Sequence, residues 1–102
     1  PALAPPPSAV LPMQAGAYQN TIWVAAAAKA GVEDGQALIG GSCIIAPTGE
    51  IAAQAMSIDD EVIVHRADLG LIDACRKVNF DFALYRRPDQ YRLIAEQAGP
   101  VL

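Results

Sequence analysis

The apolar residues in the middle of the chain fall into short runs that are typical of β-strands. Residues 42–46 and 50–55 form two such runs, and the turn between them has Pro47 at its second position and Gly49 at its fourth. Proline at that position favours a type I turn, and the glycine can take a positive φ in an adjacent bulge. Apolar side chains project to both sides of the first run. The pattern therefore predicts a β-hairpin that is buried on both faces.

The neighbouring runs predict a helix, two further strands and a loop. Residues 13–21 follow a proline and predict a short helix, whereas residues 31–40 predict a loop. Residues 22–28 begin with β-prone side chains and continue into alanines, which also favour a helix. We predict a buried strand there. Residues 61–67 place apolar side chains on both faces of an alternating pattern, and they predict a fourth strand.

A second helix is predicted over residues 69–78, where apolar residues recur at helical spacing. Asp68 precedes it at the N-cap position, where its carboxylate can accept hydrogen bonds from backbone N–H groups that lack a helical partner. The segment that follows, residues 79–102, is rich in aromatic residues and arginine. It predicts irregular structure, apart from one helical turn near residues 89–95.

The N-terminal segment, residues 1–12, contains five prolines and predicts an extended lead or linker. A ligand for a proline-binding domain is the alternative, but no PxxP pattern with flanking basic residues supports it. We therefore divide the chain into a lead over residues 1–12, a folded domain over residues 13–95 and a tail over residues 96–102.

The composition is apolar for a domain of 102 residues, because 53% of the residues are hydrophobic and only 18% are charged. This suggests surface that is covered by a partner subunit or by another portion of the same protein. An ordinary alanine-rich globular domain is the alternative. The net charge of −4 argues against nucleic acid and against an anionic membrane surface as partners.

The two cysteines lack the spacing of a metal site or of a disulfide framework, which favours a reducing, cytoplasmic setting. No apolar run reaches the ~20 residues that cross a bilayer. Cys43 and His65 could form a dyad on neighbouring strands. However, a cysteine in an apolar strand behaves as a small hydrophobic residue with a raised thiol pKa, so we predict core packing for it and for Cys75. His65 is predicted to be a hydrogen-bonded strand residue, with a titrating switch as the alternative.

The charged residues are predicted to have structural roles. Residues 59–61 form a solvated acidic turn, and Glu50 holds its own turn or meets an arginine. Lys29 lies at a strand end. Arg86 and Arg87 are predicted to form ion pairs that fix the tail, with an anion site for a substrate carboxylate as the alternative.

Four segments, in this order, resemble the C-terminal third of a nitrilase-superfamily (carbon–nitrogen) hydrolase. Residues 14–20 are similar to the family's ARA-x-EN helix, with Gln19 in place of the usual glutamate. Residues 41–50 resemble its G-x-S-x-I-x-x-P-x-G-E hairpin, residues 61–69 the strand that ends in Asp-Leu, and residues 80–91 its closing F-x-x-x-R-R-P-x-x-Y motif. The motif residues carried over in structural roles are Gln19, Asn20, Gly41, Ser42, Pro47, Gly49, Glu50, Asp68, Arg86, Arg87 and Pro88.

The resemblance implies part of an α-β-β-α sandwich of the α/β (α+β) class, with mostly antiparallel strands and helices on one face. It implies a cysteine nucleophile, a glutamate base and a lysine that stabilises the oxyanion. In the family all three lie upstream of the helix at residues 13–21, so no catalytic residue is expected here. No metal or organic cofactor is implied.

The details of these segments are most similar to N-carbamoyl-D-amino-acid hydrolases. We therefore expect the chain to be part of an enzyme that releases a D-amino acid, ammonia and carbon dioxide from a small-molecule substrate. Its expected partners are the missing N-terminal portion of the same enzyme and further copies in a homo-oligomer. A catalytically inactive truncated relative, acting as an oligomerisation or interaction module, is the alternative.

Overall fold

The structure is a computed structural model that describes residues 7–96. Its elements are, in chain order, α1 (Pro7–Asn20), β1 (Val24–Ala26), β2 (Ala30–Glu33), β3 (Gln36–Ile39), β4 (Cys43–Ile45), β5 (Ile51–Gln54), α2 (Gly70–Val78), α3 (Phe82–Tyr85), a 3-10 turn (Pro88–Gln90) and α4 (Arg92–Glu96). Helices accompany two antiparallel sheets, which confirms the predicted α+β class. None of the described helices has the length and apolar character needed to span a membrane.

The hairpin formed by β4 and β5 confirms the central sequence prediction. Gly49 donates its N–H to the carbonyl of Ala46 at 2.8 Å, which closes the turn, and Ala46 donates to the carbonyl of Glu50 at 2.9 Å. Gly49 has φ +87°, and the strand pairing shifts between Ile44 and Ile45. These features are those of a type I turn followed by a bulge. Strand β1 pairs with the other edge of β4, giving a three-stranded sheet in the order β1-β4-β5.

The core lies where α1 packs on one face of this sheet. Ala17 of the helix and Cys43 and Ile45 of β4 are fully buried together. Ile44, on the opposite face of β4, is only half-buried, and Ile51 of β5 is exposed. Within residues 7–96 a helix covers only one side of the sheet, so burial of the second face stays a prediction that requires another part of the protein or a partner.

The described part of the chain is a thin slab. Its principal extents are 50 × 42 × 18 Å, and its radius of gyration is 17.8 Å, whereas a compact domain of 100 residues has about 13 Å. A sheet with one layer of helices is about 18–20 Å thick, since each layer contributes roughly 10 Å. The slab thus has the thickness of two layers, one of helices and one of strands.

Helix α1 corrects the prediction for the proline-rich lead. Residues 7–12 are helical rather than extended, while residues 1–6 lie outside the described part. Pro7 is the first residue of the helix, where no intrahelical N–H bond is lost. Pro12 removes one such bond inside the helix. Packing outweighs that loss, because Val10 and Ala17 are buried on the side that faces the sheet. The division of the chain at residues 12 and 95 stays a prediction.

Residues 31–40 form a second hairpin rather than the predicted loop. Strands β2 and β3 pair in register, with Glu33 opposite Gln36. Asp34 and Gly35, which form the turn, both have positive φ, at 49° and 79°. Two consecutive positive φ values characterise the type I′ turn, which Asp-Gly strongly favours. The turn dipeptide was the signal that the loop prediction missed.

The fourth strand predicted over residues 61–67 is absent. These residues form no strand in the described structure, and the side chains of Val62 and Val64 are 86% and 83% exposed. Strand-forming side chains alone are insufficient, because a strand also needs a neighbour with which to pair. The strand predicted over residues 22–28 is confirmed at its centre as β1, although it is half-buried rather than buried.

Helix α2 is confirmed, and the tail is more ordered than predicted. The Asp68 carboxylate accepts a hydrogen bond from the N–H of Gly70 at 2.9 Å. Leu69 between them already has helical angles, φ −68° and ψ −23°, so Asp68 occupies the capping position expected from the sequence. The helical structure predicted near residues 89–95 is present as the 3-10 turn and α4, and α3 adds a further turn where irregular structure was predicted. The rings of Tyr18 and Phe80 meet edge to face at 5.2 Å and connect the tail to α1. Residues 97–102 lie outside the described part.

Candidate functional site

The motif segment of α1, residues 14–20, meets the tip of the β4–β5 hairpin through Gln14 and Tyr18. Gln14 donates its side-chain amide to the carbonyl of Gly49 at 2.9 Å. Pro47, at the tip of the hairpin, is fully buried, and so is Thr21 just beyond the end of α1. A Cβ atom on Gly49 would lie 3.5 Å from both the Gln14 carbonyl oxygen and the Tyr18 Cβ. The hairpin turn is thus seated directly against the helix.

Gly41 and Ser42 lie just before β4, and hydrogen bonds of Ser42 connect this segment to the residues that follow β1. The Ser42 hydroxyl accepts a hydrogen bond from the N–H of Ala28 at 2.8 Å, and it lies 3.2 Å from the Ala28 carbonyl, to which it donates. Gly41 is buried and has φ +73°, a conformation that favours glycine. The Ser42 side chain therefore satisfies both the N–H and the carbonyl of Ala28, which lies beyond the last residue pair of β1 and β4.

The remaining motif residues at the end of α1, just before β5 and just before α2 make local contacts. The Asn20 side chain donates to the carbonyl of Gly16 at 2.9 Å, one turn earlier, and Gln19 is exposed. The side chain of Glu50 is exposed, whereas its backbone closes the hairpin. The carbonyl of Asp68 accepts a hydrogen bond from the indole N–H of Trp23 at 3.1 Å. Each contact fixes backbone, and none aligns a nucleophile with a base.

Of the two arginines, Arg87 contacts carbonyl oxygens instead of carboxylates. The Arg87 guanidinium donates to the carbonyl of Leu84 at 3.2 Å and to that of Arg86 at 2.9 Å. Pro88 begins the 3-10 turn, and the Tyr91 hydroxyl accepts the N–H of Arg87 at 3.1 Å. Within residues 7–96 neither arginine forms an ion pair, so the predicted ion-pair contact is replaced by a local cap of the tail.

Cys43 is buried, whereas Cys75 is only partly buried rather than in the core as predicted, and neither thiol makes a hydrogen bond among the described residues. Cys43 is 1% exposed beneath α1, and burial raises the pKa of its thiol above the ordinary value. His65 is exposed, and its ring lies 5.5 Å from that of Trp23. No hydrogen bond joins Cys43 to His65 among the contacts that the structure describes. The Cys43–His65 dyad is therefore not formed, and Cys43 packs in the core as the sequence predicts.

Two open clefts flank the sheet, each of about 280 Å³. The first is apolar and lies between the end of α1, the hairpin turn and α2, with Cys75 and Thr21 on its wall. The second is polar and has Ser42, Asp59 and Glu61 on its wall. Lys29 also lines it and pairs with Glu33 at 2.6 Å. Among the described residues, no group of three or more histidine, cysteine or acidic side chains could hold a metal ion.

Comparison with protein families shows which family the α1 and hairpin motifs belong to. The family model described as carbon-nitrogen hydrolase matches residues 5–77, more than half of the chain. The chain belongs to the carbon-nitrogen hydrolase family. The match includes the α1 motif, the hairpin and the segment up to α2, and it places this carbon-nitrogen hydrolase in the nitrilase superfamily. It begins inside the predicted lead, and it ends before the arginine motif at residues 80–91.

The structural roles of the eleven motif residues stay predictions for this carbon-nitrogen hydrolase. The sequence did not single out two residues, Thr21 at the junction and Trp23 two positions further along the chain. Thr21 is a buried threonine with φ +53°, whose N–H reaches the carbonyl of Tyr18 at 3.3 Å. Trp23 connects β1 to the start of α2 through Asp68. A polar residue between a helix and an apolar strand was the available signal for Thr21, whereas nothing local to Trp23 indicates a partner 45 positions away.

Proposed function

We propose that the chain is part of an amidohydrolase that converts an N-carbamoyl-D-amino acid to the D-amino acid, ammonia and carbon dioxide. The observation that carries this proposal is the family match over residues 5–77, together with the N-carbamoyl-hydrolase-like details of residues 14–20, 41–50 and 80–91. These details lie in segments that hold the scaffold together rather than in a substrate pocket. They support the choice of substrate class by likeness alone.

The reaction we propose uses a cysteine, a glutamate and a lysine that lie outside this chain. The cysteine thiolate attacks the carbamoyl carbon, the lysine stabilises the negative charge that develops on oxygen, and the glutamate transfers the proton. One C–N bond of the carbamoyl group breaks as the C–S bond forms, and its nitrogen leaves with the proton that the glutamate delivers, which leaves a thioester-like intermediate. Water then hydrolyses this intermediate to a carbamic acid, which decomposes to carbon dioxide and the second nitrogen product. Burial and the raised pKa of the Cys43 thiol support a nucleophile that lies outside this chain, because a thiol that resists ionisation is a poor nucleophile.

The role we assign to this chain is to provide one helix-covered sheet of the catalytic domain. Its remaining partners in this proposal are the rest of that domain and further copies of the enzyme in a homo-oligomer. We place the activity in the cytoplasm, and the two free cysteines support a reducing compartment.

The test is ammonia release by the protein as its gene encodes it. We expect release from an N-carbamoyl-D-amino acid that exceeds release from its L-enantiomer, from a β-ureido acid and from an aliphatic nitrile. Faster turnover of the ureido acid or the nitrile would reassign the substrate within the family. Absence of turnover with all four, for a protein whose circular dichroism shows a folded state, would overturn the proposal.

A further inference from the structure

An aromatic contact joins the segment between β5 and α2 to the start of β1. The ring of His65 lies 5.5 Å from that of Trp23, with an angle of 35° between the two ring planes. His65 is exposed, whereas Trp23 is half-buried directly before β1. Within residues 7–96, no backbone–backbone hydrogen bond involves residues 61–67. Side-chain contacts such as this one therefore keep the segment in place.

The indole ring of Trp23 is fixed in orientation by a second contact. Its N–H donates a hydrogen bond to the carbonyl of Asp68 at 3.1 Å, so the ring cannot turn away from His65 without breaking that bond. The face of an aromatic ring carries partial negative charge, and indole attracts a cation more strongly than the other aromatic side chains do. A cation within about 6 Å of the ring centroid is close enough for this attraction. The observed separation of the two rings meets that condition.

The indole ring is the group that the charge of a protonated His65 meets. Within residues 7–96, none of the ion pairs includes His65. Glu61 and Asp68, the nearest acidic residues on either side along the chain, use their carboxylates to accept backbone N–H groups. Residues 22–28, which carry the indole, contain no charged side chain. Arg66 is the adjacent cation, and it stays charged at every pH at which histidine titrates.

We propose that His65 and Trp23 form a pH-sensitive clasp, which holds residues 61–67 against the start of β1 more tightly when His65 is protonated. Histidine is the side chain whose charge ordinarily changes between about pH 5 and about pH 8. A neutral imidazole contacts indole mainly through dispersion, whereas an imidazolium adds electrostatic attraction to the ring. The clasp is therefore tightest at the acidic end of this range, and it loosens as the pH rises. It does not depend on the proposed amidohydrolase activity.

The clasp acts on one wall of the polar cleft. Glu61, at the other end of the same segment, lines that cleft together with Ser42 and Lys29. When the clasp loosens, the segment loses a side-chain contact at its His65 end. The wall to which Glu61 belongs then gains freedom to move.

Quenching of Trp23 fluorescence by acrylamide tests the clasp in the protein as its gene encodes it. Acrylamide reaches the indole from solvent, so the quenching rate constant, which is the Stern–Volmer constant divided by the fluorescence lifetime, measures how often the contact opens. The emission of Trp23 is isolated by subtracting that of the Trp23→Phe variant. We expect a rate constant about two- to fivefold lower at about pH 5.5 than at about pH 8. Equal rate constants at the two pH values would overturn the clasp.

Two substitutions of His65 assign the effect to its charge. His65→Gln is neutral at both pH values and should show the higher rate constant at both. His65→Lys is positively charged at both and should show the lower rate constant at both. If His65→Gln retained the fall at low pH, another group would carry the response and the proposal would be wrong. It would be equally wrong if acrylamide quenched His65→Lys as readily as His65→Gln.

Discussion

At the scale of single residues, Cys43 has the environment of a core residue rather than of a nucleophile. It lies between Ala17 and Ile45 beneath α1, with no base in hydrogen-bond contact among the described residues. Burial raises its thiol pKa, whereas reactive cysteines have thiols whose pKa is lowered by nearby positive charge. The same residue type that signals chemistry in other sequences therefore signals packing here.

The raised pKa of Cys43 predicts a loss of stability at alkaline pH. The unfolded chain ionises this thiol near its ordinary pKa of 9.0, while burial keeps the thiol neutral to higher pH in the folded state. The stabilisation from the neutral thiol is therefore complete well below pH 9.0, and it is lost as the pH rises through the folded-state pKa. Urea unfolding of the parent chain and of Cys43→Ala should show free energies of unfolding whose difference shrinks as the pH rises above 9.0. A difference that is independent of pH would contradict the prediction, and Cys75→Ala is the control.

At the scale of elements, the β4–β5 hairpin depends on the backbone of Gly49. Its φ of +87° is strained for any residue with a side chain. Gly49→Ala should lower the free energy of unfolding by about 1–2 kcal/mol, because a Cβ atom disfavours the left-handed conformation. Gly16→Ala is the matched control. A Cβ there meets nothing within 4 Å in the interior of α1, so we expect a gain of about 0.5–1 kcal/mol. Chemical denaturation measures both, and equal effects of the two substitutions would contradict this account.

Elements whose cause is local could be predicted, and elements whose cause lies elsewhere could not. The β4–β5 hairpin followed from its turn residues, and the capping contact of Asp68 followed from its position before an amphipathic run. The β2–β3 hairpin was equally local, but its Asp34-Gly35 turn was not weighed against the loop signals around it. Helix α1 continued through Pro12 because its burial against β4 is a tertiary effect. The strand predicted over residues 61–67 is not formed, since no described strand pairs with it.

The candidate site shows the same difference between local contacts, which the sequence predicts, and tertiary contacts, which it does not. Sequence motifs predicted structural roles for residues of α1 and the hairpin. The contact between Gln14 and Gly49, however, spans 35 positions and depends on how the helix packs against the hairpin. Arginines in the tail suggested ion pairs, yet Arg87 found carbonyl oxygens within reach of its own backbone. Residue type indicated which groups could make contacts, and packing selected the partners.

At the scale of the whole molecule, the chain has the dimensions of a portion of a layered domain. Its 18 Å thickness accommodates one sheet and one helix layer, and large apolar side chains such as Leu93 and Ile94 are more than four-fifths exposed. A soluble monomer rarely exposes much contiguous apolar surface. Our proposal that the chain is scaffold for chemistry performed by residues outside it is supported by the family match over residues 5–77 and by this geometry.

Ammonia release from an N-carbamoyl-D-amino acid by the Cys43→Ser/Cys75→Ser double variant tests that claim most directly. The assay uses the protein as its gene encodes it, beside the parent protein and at matched folded concentration. We predict that the double variant retains the activity of the parent to within about threefold, because neither thiol contacts the reacting carbon. Loss of ammonia release in a double variant whose circular dichroism and melting match the parent would contradict the account, since a cysteine of this chain would then be the nucleophile.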